Sequence, residues 1–180
     1  MIKISGHAIK NIDRSDARYV ALTQVHARLA KKDSTIWGPA AQAEASVRLN
    51  WIDLPESSRD LLPALDALYA KHRDKSNVVL CGMGGSSLGP EVIAQSFKKK
   101  LFILDSTDPD YVAHALKGDL AKTVVVVSSK SGSTIETASQ RALFEDAFTQ
   151  AGLAPHNHMV IVTDPDSPLD KQSRAAGFTV

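Results

Sequence analysis

Apolar residues follow two different rhythms along this chain, and the change comes near Asn77. Before it, the spacing is helical and no segment reads as a convincing strand. Ser15 and Asp16 can cap a helix that carries Tyr19, Val20, Leu22, Val25 and Leu29 on one side. A second helix is expected from Pro39 through Ala45 and Val47 to Leu49, with Trp37, Trp51, Ile52 and Leu54 as packing anchors around it. Ser57 or Ser58 opens a third, with Leu61, Leu62, Leu65, Leu68 and Tyr69 on one face. It ends among Lys71 to Lys75, where cations suit the helix dipole.

From Val78 onward the unit is a short apolar run, a polar turn and a helix, repeated. The runs are Val78–Cys81, Leu101–Leu104, Thr123–Val127, Met159–Val162 and Phe178–Val180. They are rich in Val and Ile and do not alternate with polar residues, as strands covered on both faces require. Helical stretches lie between them near Glu91–Lys98, Asp110–Leu116, Ile135–Gln150 and Pro168–Ala175. Strands alternating with helices imply right-handed crossovers and a parallel sheet. The expected fold is α/β: a doubly wound, mostly five-stranded parallel sheet preceded by an N-terminal helical segment. Residues 1–76 are expected to form a helical extension packed on the core, and residues 77–180 the sheet domain.

Composition narrows the partners. The 180 residues suffice for one domain of ordinary size with an extension, burying roughly 70% of the surface that the unfolded chain exposes. With 43% hydrophobic and 23% charged residues, the chain has the make-up of a globular protein. The formal charge of +1, from 21 basic and 20 acidic residues, argues against nucleic acid or an anionic membrane, because both select a basic excess. A single cysteine, Cys81, excludes an internal disulfide and a cysteine-based zinc site and fits a reducing compartment. No apolar run reaches the length of a membrane span, and the first ten residues lack the apolar stretch of a signal peptide. A cytoplasmic protein is expected.

Two loops stand out at strand carboxyl ends, where open parallel sheets collect their function. The first strand runs into Gly82-Met83-Gly84-Gly85-Ser86-Ser87-Leu88-Gly89-Pro90. The third runs into Ser128-Ser129-Lys130-Ser131-Gly132-Ser133-Thr134, ahead of a helix that Glu136 and Thr137 help to start. Glycines bring bare amides close to a ligand, hydroxyls add donors, and each helix N-terminus adds free amides and a positive dipole end. Together they suit an anion, most naturally phosphate. With strand order 2-1-3-4-5, both loops face one crevice at the switch point. Read blandly, either loop is only a tight connection, Lys130 a solvated turn residue and Lys98-Lys99-Lys100 another.

Other motifs are weaker. Gly82-x-Gly84 followed by Asp105 matches part of a dinucleotide fingerprint, but Ser87 occupies the third glycine position. A P-loop beginning at Gly84 is excluded by Pro90 and Glu91. Gly85-x-Ser87-x-Gly89 formally matches a nucleophile elbow, without an oxyanion loop or a triad signal among His114, His156 and His158. The six histidines (His7, His26, His72, His114, His156 and His158) show no metal-ligand spacing, and His156-x-His158 reads as a loop pair. Cys81 reads as a small core residue. The segments Asp105–Pro109 and Thr163–Asp166 read first as turns and helix caps.

Taken in order, Cys81–Glu91, Leu104–Pro109 and Ser128–Thr137 resemble the first sugar-isomerase (SIS) domain of the glucose-6-phosphate isomerase family. The likeness is to the bacterial type found fused behind a transaldolase, and Leu29–Gly38 and Leu169–Gly177 extend it over nearly the whole chain. The resemblance implies a SIS domain of flavodoxin-like strand order. It also implies aldose–ketose isomerisation of glucose 6-phosphate and fructose 6-phosphate without metal or organic cofactor. Ser129, Ser131, Thr134 and Thr137 would then hold the phosphate, Gly84, Gly85 and Ser86 would lie along the sugar, and Lys130 would shape the loop. Gly132 and Ser133 replace an aromatic residue and a threonine of the typical family pattern, as in the sugar-isomerase domains of regulators and aminosugar enzymes.

The family's proton-abstracting glutamate, ring-opening histidine, lysine and arginine come from segments after the matched region. Proton transfer between C1 and C2 needs a positioned base. Within the matched loops only Glu91 and Glu136 are on offer, and both read as helix caps. The expectation is therefore a phosphate-binding N-terminal part of such an isomerase, inactive alone. Its implied partners are a hexose 6-phosphate, the C-terminal half of the enzyme, a fused transaldolase and a second copy of the chain. A non-catalytic sugar-phosphate-binding module is the alternative, and a nucleotide-binding domain the second alternative.

Overall fold

A computed structural model describes residues 5–6 and 11–180; His7 lies outside the described residues. The chain divides into two compact units, Met1–Asp66 and Ala67–Val180.

In the first unit, helix α1 (Ala17–Ala30) begins at Asp16, whose carboxylate accepts the Arg18 amide at 2.8 Å. Ser15 has no such role. Arg28 donates to Asp33 at 2.6 Å, and Asp33 in turn caps a 3₁₀ turn over Ser34–Trp37. Helix α2 (Pro39–Arg48) starts on its proline, the residue whose missing N–H costs nothing at that position. The third helix does not open at Ser57 or Ser58. The chain winds instead through a 3₁₀ turn (Leu49–Asp53), helix α3 (Leu54–Ser57) and another 3₁₀ turn (Ser58–Leu61) before helix α4 (Leu62–His72). Pro55 and Pro63 each stand second in a helix; a proline starts a new helical turn more readily than it continues one. Trp37 and Trp51, expected as packing anchors, are 53% and 61% exposed.

In the second unit four strands form one all-parallel sheet in the order β2-β1-β3-β4. They are β1 (Asn77–Gly82), β2 (Phe102–Leu104), β3 (Thr123–Ser128) and β4 (Met159–Val162). Helices α5 (Gly85–Ser96), α6 (Pro109–Leu116), α7 (Ile135–Gln150) and α8 (Pro168–Ala175) alternate with them. The expected fifth strand, Phe178–Val180, contributes only one bridge, Thr179 to Val160, with the Ile161 amide donating to the Thr179 carbonyl at 2.9 Å. One bridge does not make a ladder, so the strands number four among the described residues.

The core lies between this sheet and its helices. Val79, Cys81, Leu104, Val125, Val127, Met159 and Ile161 meet Phe144 and Phe148 from α7, all buried. Each such side chain contributes roughly 1.5–3 kcal/mol on burial. His158 belongs to this core rather than to a loop pair. Its ring stacks on Phe148 at 4.9 Å between centroids, and Nδ1 lies 3.0 Å from the Thr123 carbonyl. A carbonyl only accepts, so Nδ1 carries the proton.

The largest departure from expectation is the start of α5. The segment Gly82–Pro90 reads as loop, with a helix beginning at Glu91; the helix in fact begins at Gly85. Gly84, at φ +58° and ψ −125°, turns the chain so that the Ser87 and Leu88 amides already donate back to its carbonyl. Only Met83-Gly84 remains as loop between β1 and α5. Pro90 sits inside the helix and removes one backbone donor from it.

Candidate active site

β1 and β3 are neighbours, in register from Asn77 opposite Thr123 to Gly82 opposite Ser128. The two polar loops therefore leave the sheet side by side at the carboxyl ends of its central strands. The approach is close at Gly82, where a Cβ would come within 3.2 Å of the Ser128 carbonyl oxygen. Glycine is what lets the loops stay adjacent.

The helices that follow these loops are capped differently from their neighbours. Asp108 caps α6 by accepting from the Asp110 and Tyr111 amides at 3.1 and 3.0 Å. Ser167 caps α8 by accepting from Asp170, and the Asp170 carboxylate returns an acceptor to the Asp166 amide, both at 3.0 Å. That arrangement holds the Asp170 carboxyl below its ordinary range, with Arg174 at 2.7 Å adding to the effect. By contrast, α5 starts at Gly84 and α7 at Thr134, and neither receives a side-chain cap. The two helices that stand behind the adjacent loops thus lack a side-chain cap, and each N-terminus carries about half a positive charge; at α5 the Ser86 amide donates to the Met83 carbonyl and the Ser87 and Leu88 amides to that of Gly84.

The sequence-derived residues fall into two layers here. Gly84, Gly85, Lys130 and Ser131 are exposed, Ser86 and Thr134 half-buried, and Ser129 and Thr137 buried. The serine loop is internally bonded. Ser129 Oγ accepts from the Gly132 amide at 3.2 Å, Ser131 Oγ accepts from the Ser133 amide at 3.2 Å, and the Ser131 and Ser133 hydroxyls lie 2.7 Å apart. An arriving anion can take over those amides as acceptor. Thr137 Oγ1 is buried with no hydrogen-bond partner among the described residues. It lines a cavity of about 250 Å³ with Ser129, Gly132 and Arg141.

Ser87 does not act as an elbow nucleophile: it is fully buried and its hydroxyl donates to the Gly84 carbonyl at 2.9 Å. Of the two glutamates, Glu136 lies in the first turn of α7 as expected. Glu91 is no cap; it sits in the second turn of α5, accepting from Gln95 at 3.0 Å. Among the described residues no group of histidine, cysteine and carboxylate side chains could hold a metal ion, and no helix is long and apolar enough to cross a membrane.

Sequence reasoning missed two supports. Gln140, one turn beyond Thr137 and 1% exposed, donates to the Ser106 carbonyl at 3.1 Å and so ties α7 to the loop after β2. Its place three residues after Thr137 on the buried face was the available signal. The Lys130 carbonyl accepts from the Asp164 amide and the Thr163 hydroxyl, both at 3.2 Å, which braces the serine loop from the loop after β4. No local pattern marks that pairing.

Residues 68–170 match the family model described as phosphoglucose isomerase. A glucose-6-phosphate isomerase of Chlamydia trachomatis serovar A is 38% identical over 125 residues, which are 66% of this chain and 24% of that protein. One from Chlamydia felis is 40% identical over 112 residues, 58% of this chain and 21% of that protein. The chain thus spans about a quarter of the length of these relatives. Among solved structures, a hypothetical protein from Thermus thermophilus superposes with a TM-score of 0.70 at 30% identity, covering 89% of this chain and 39% of that one. A glucose-6-phosphate isomerase from Chlamydia trachomatis does so with a TM-score of 0.61 at 26% identity, covering 90% and 38%.

Proposed function

This chain belongs to the phosphoglucose isomerase family, and on that premise we propose that its two adjacent loops form the phosphate- and sugar-holding part of a glucose-6-phosphate isomerase. The observation that carries this reading is the pair of uncapped helix N-termini behind β1 and β3, flanked by capped helices behind β2 and β4. Ser129, Ser131, Thr134 and Thr137 would donate to the phosphate of a hexose 6-phosphate. Gly84, Gly85 and Ser86 would run along the sugar, and Lys130 would shape the loop and offset charge.

Two helix termini at up to ~2 kcal/mol each give on the order of 4 kcal/mol for an anion, which corresponds to millimolar binding. The chain by itself then binds sugar phosphate weakly. Isomerisation also needs a base between C1 and C2. Glu91, engaged with Gln95, and Glu136, in a helix first turn, are poor candidates for it. The proposal places the base and the ring-opening acid in the part of the enzyme beyond residues 1–180. Residues 1–76 would be a helical extension of a SIS domain spanning 77–180, with Phe178–Val180 as a fifth strand in flavodoxin-like order. The setting would be cytoplasmic sugar-phosphate metabolism, in glycolysis and gluconeogenesis.

The test is thermal stabilisation of the purified chain by fructose 6-phosphate, with Ser131→Ala/Thr134→Ala as the variant. Loss of the ligand-dependent shift in the variant is expected. An undiminished shift would overturn the assignment, and interconversion of the two hexose phosphates at enzyme-like rates would overturn the placement of the base.

A further inference from the structure

At the opposite end of the sheet the amino ends of β1, β2 and β3 surround a second, larger cavity of about 590 Å³. Val79 and Ala115, both buried, line it, as do Phe102 and His114, whose rings stack at 5.5 Å between centroids. Lys99, Lys100 and Lys117 stand at its rim, all exposed. No carboxylate is among the lining residues. The described lysine ammonium groups with hydrogen-bond or ion-pair partners are those of Lys32, Lys71 and Lys75, none of them here.

The simplest account of such lysines is that they neutralise helix carboxyl ends, since α5 stops just before Lys98–Lys100 and Lys117 is the C-cap of α6. The arithmetic leaves a surplus. Two helix ends supply about one negative charge between them, against three positive charges at the rim, so about two remain uncompensated. A cavity of this volume is in the range that holds a small organic ligand. It offers both apolar and aromatic lining and a cationic edge.

We propose that this cavity is a second binding site, for an organic dianion with a planar or apolar body, separate from the crevice at the loops. The six-residue β1 puts about 20 Å between the two ends of the sheet. Aryl phosphates fit the chemistry: the ring lies along Phe102 and His114 while the phosphate takes the lysine charges. Lys98, Lys99 and Lys100 are all exposed, in keeping with the sequence reading of a solvated turn, and Lys99 and Lys100 also line the cavity.

Phenyl phosphate is the probe, titrated against the intact chain by calorimetry and by amide chemical shifts. Binding with shifts centred on Phe102, His114 and Lys117 is expected. It should weaken about tenfold or more in Lys99→Glu/Lys117→Glu, whose side chains are exposed, and fall with added salt. It should stay unchanged in Ser131→Ala/Thr134→Ala. Methyl phosphate, which lacks the ring, should bind more weakly. Binding lost in the serine–threonine variant and kept in the lysine variant would place the anion at the loops and overturn this site while leaving the loop assignment intact. Equal binding of phenyl and methyl phosphate would reduce the cavity to counter-ion attraction, and no binding at millimolar probe would overturn it outright.

Discussion

Gly132 turns at φ +71° directly against Leu169, and a Cβ placed on it would overlap the leucine side chain and come within 3.2 Å of the leucine amide. The serine loop is thereby seated on the first turn of α8, two residues past the cap formed by Ser167.

Gly132→Ala is therefore expected to destabilise the protein by ~2–5 kcal/mol. A left-handed backbone at a residue with a side chain accounts for ~1–2 and overpacking for ~1–3 of that. Denaturant midpoints measure it. Leu169→Gly removes the Cβ that obstructs it, so the double variant should lose clearly less than the sum of the two single losses. Strict additivity would mean that the two residues do not restrain each other.

Thr137→Val separates stability from binding. It removes a buried hydroxyl that has no partner, so the ligand-free protein should gain about 1 kcal/mol. The role proposed for that hydroxyl expects the same change to reduce the stabilisation by fructose 6-phosphate. A stability gain with undiminished ligand stabilisation would remove Thr137 from the phosphate site.

Burial pushes the Cys81 thiol up to about 12. Relative to a free cysteine near 8.5, the thiolate fraction at neutral pH falls by roughly three orders of magnitude. A disulfide reagent should react with the native chain only as fast as it opens, and readily once denatured. Rapid modification of the folded protein would contradict the burial.

His72 sets a pH dependence with a definite sign. Desolvation, reinforced by Lys71, Lys75 and His158, lowers its pKa below the ordinary 6.5, and both ring nitrogens are buried without partners. The unfolded chain then binds the proton more readily than the folded one, so stability is fully present above about pH 6.5 and declines as pH falls through that value. Melting temperatures of the wild type between about pH 7.5 and 5.5 should fall more steeply than those of His72→Gln. Parallel curves would contradict it.

Four strands were legible as short unbroken apolar runs, rich in Val and Ile in β1, β3 and β4, whereas the similar run Phe178–Val180 makes only one bridge. The starts of α7 and α8 were legible from the polar turns before them. Less legible was α5, since glycine, serine and proline carry loop preferences, and only the positive φ of Gly84 shows that the helix starts at once. The exposed Trp37 and Trp51 escaped because helical spacing marks an apolar face without showing what covers it. At the site, residue types pointed to an anion, but the decisive contrast is a relation among four helix starts. Thr134 has the composition of a cap and its side chain does not serve as one. The brace from Thr163 and Asp164 to Lys130 spans more than thirty residues and leaves no local trace.

The register that sets Gly82 beside Ser128 has a kinetic side. β1 gains its inner neighbour only after roughly 45 further residues have been placed, including a complete strand–helix excursion through β2 and α6. A chain that has formed only the β1–α5–β2 portion has one helix terminus and no partner loop. Sugar phosphate present during refolding should leave the folding limb nearly unchanged and slow unfolding, because the crevice exists only once the last central pairing has closed.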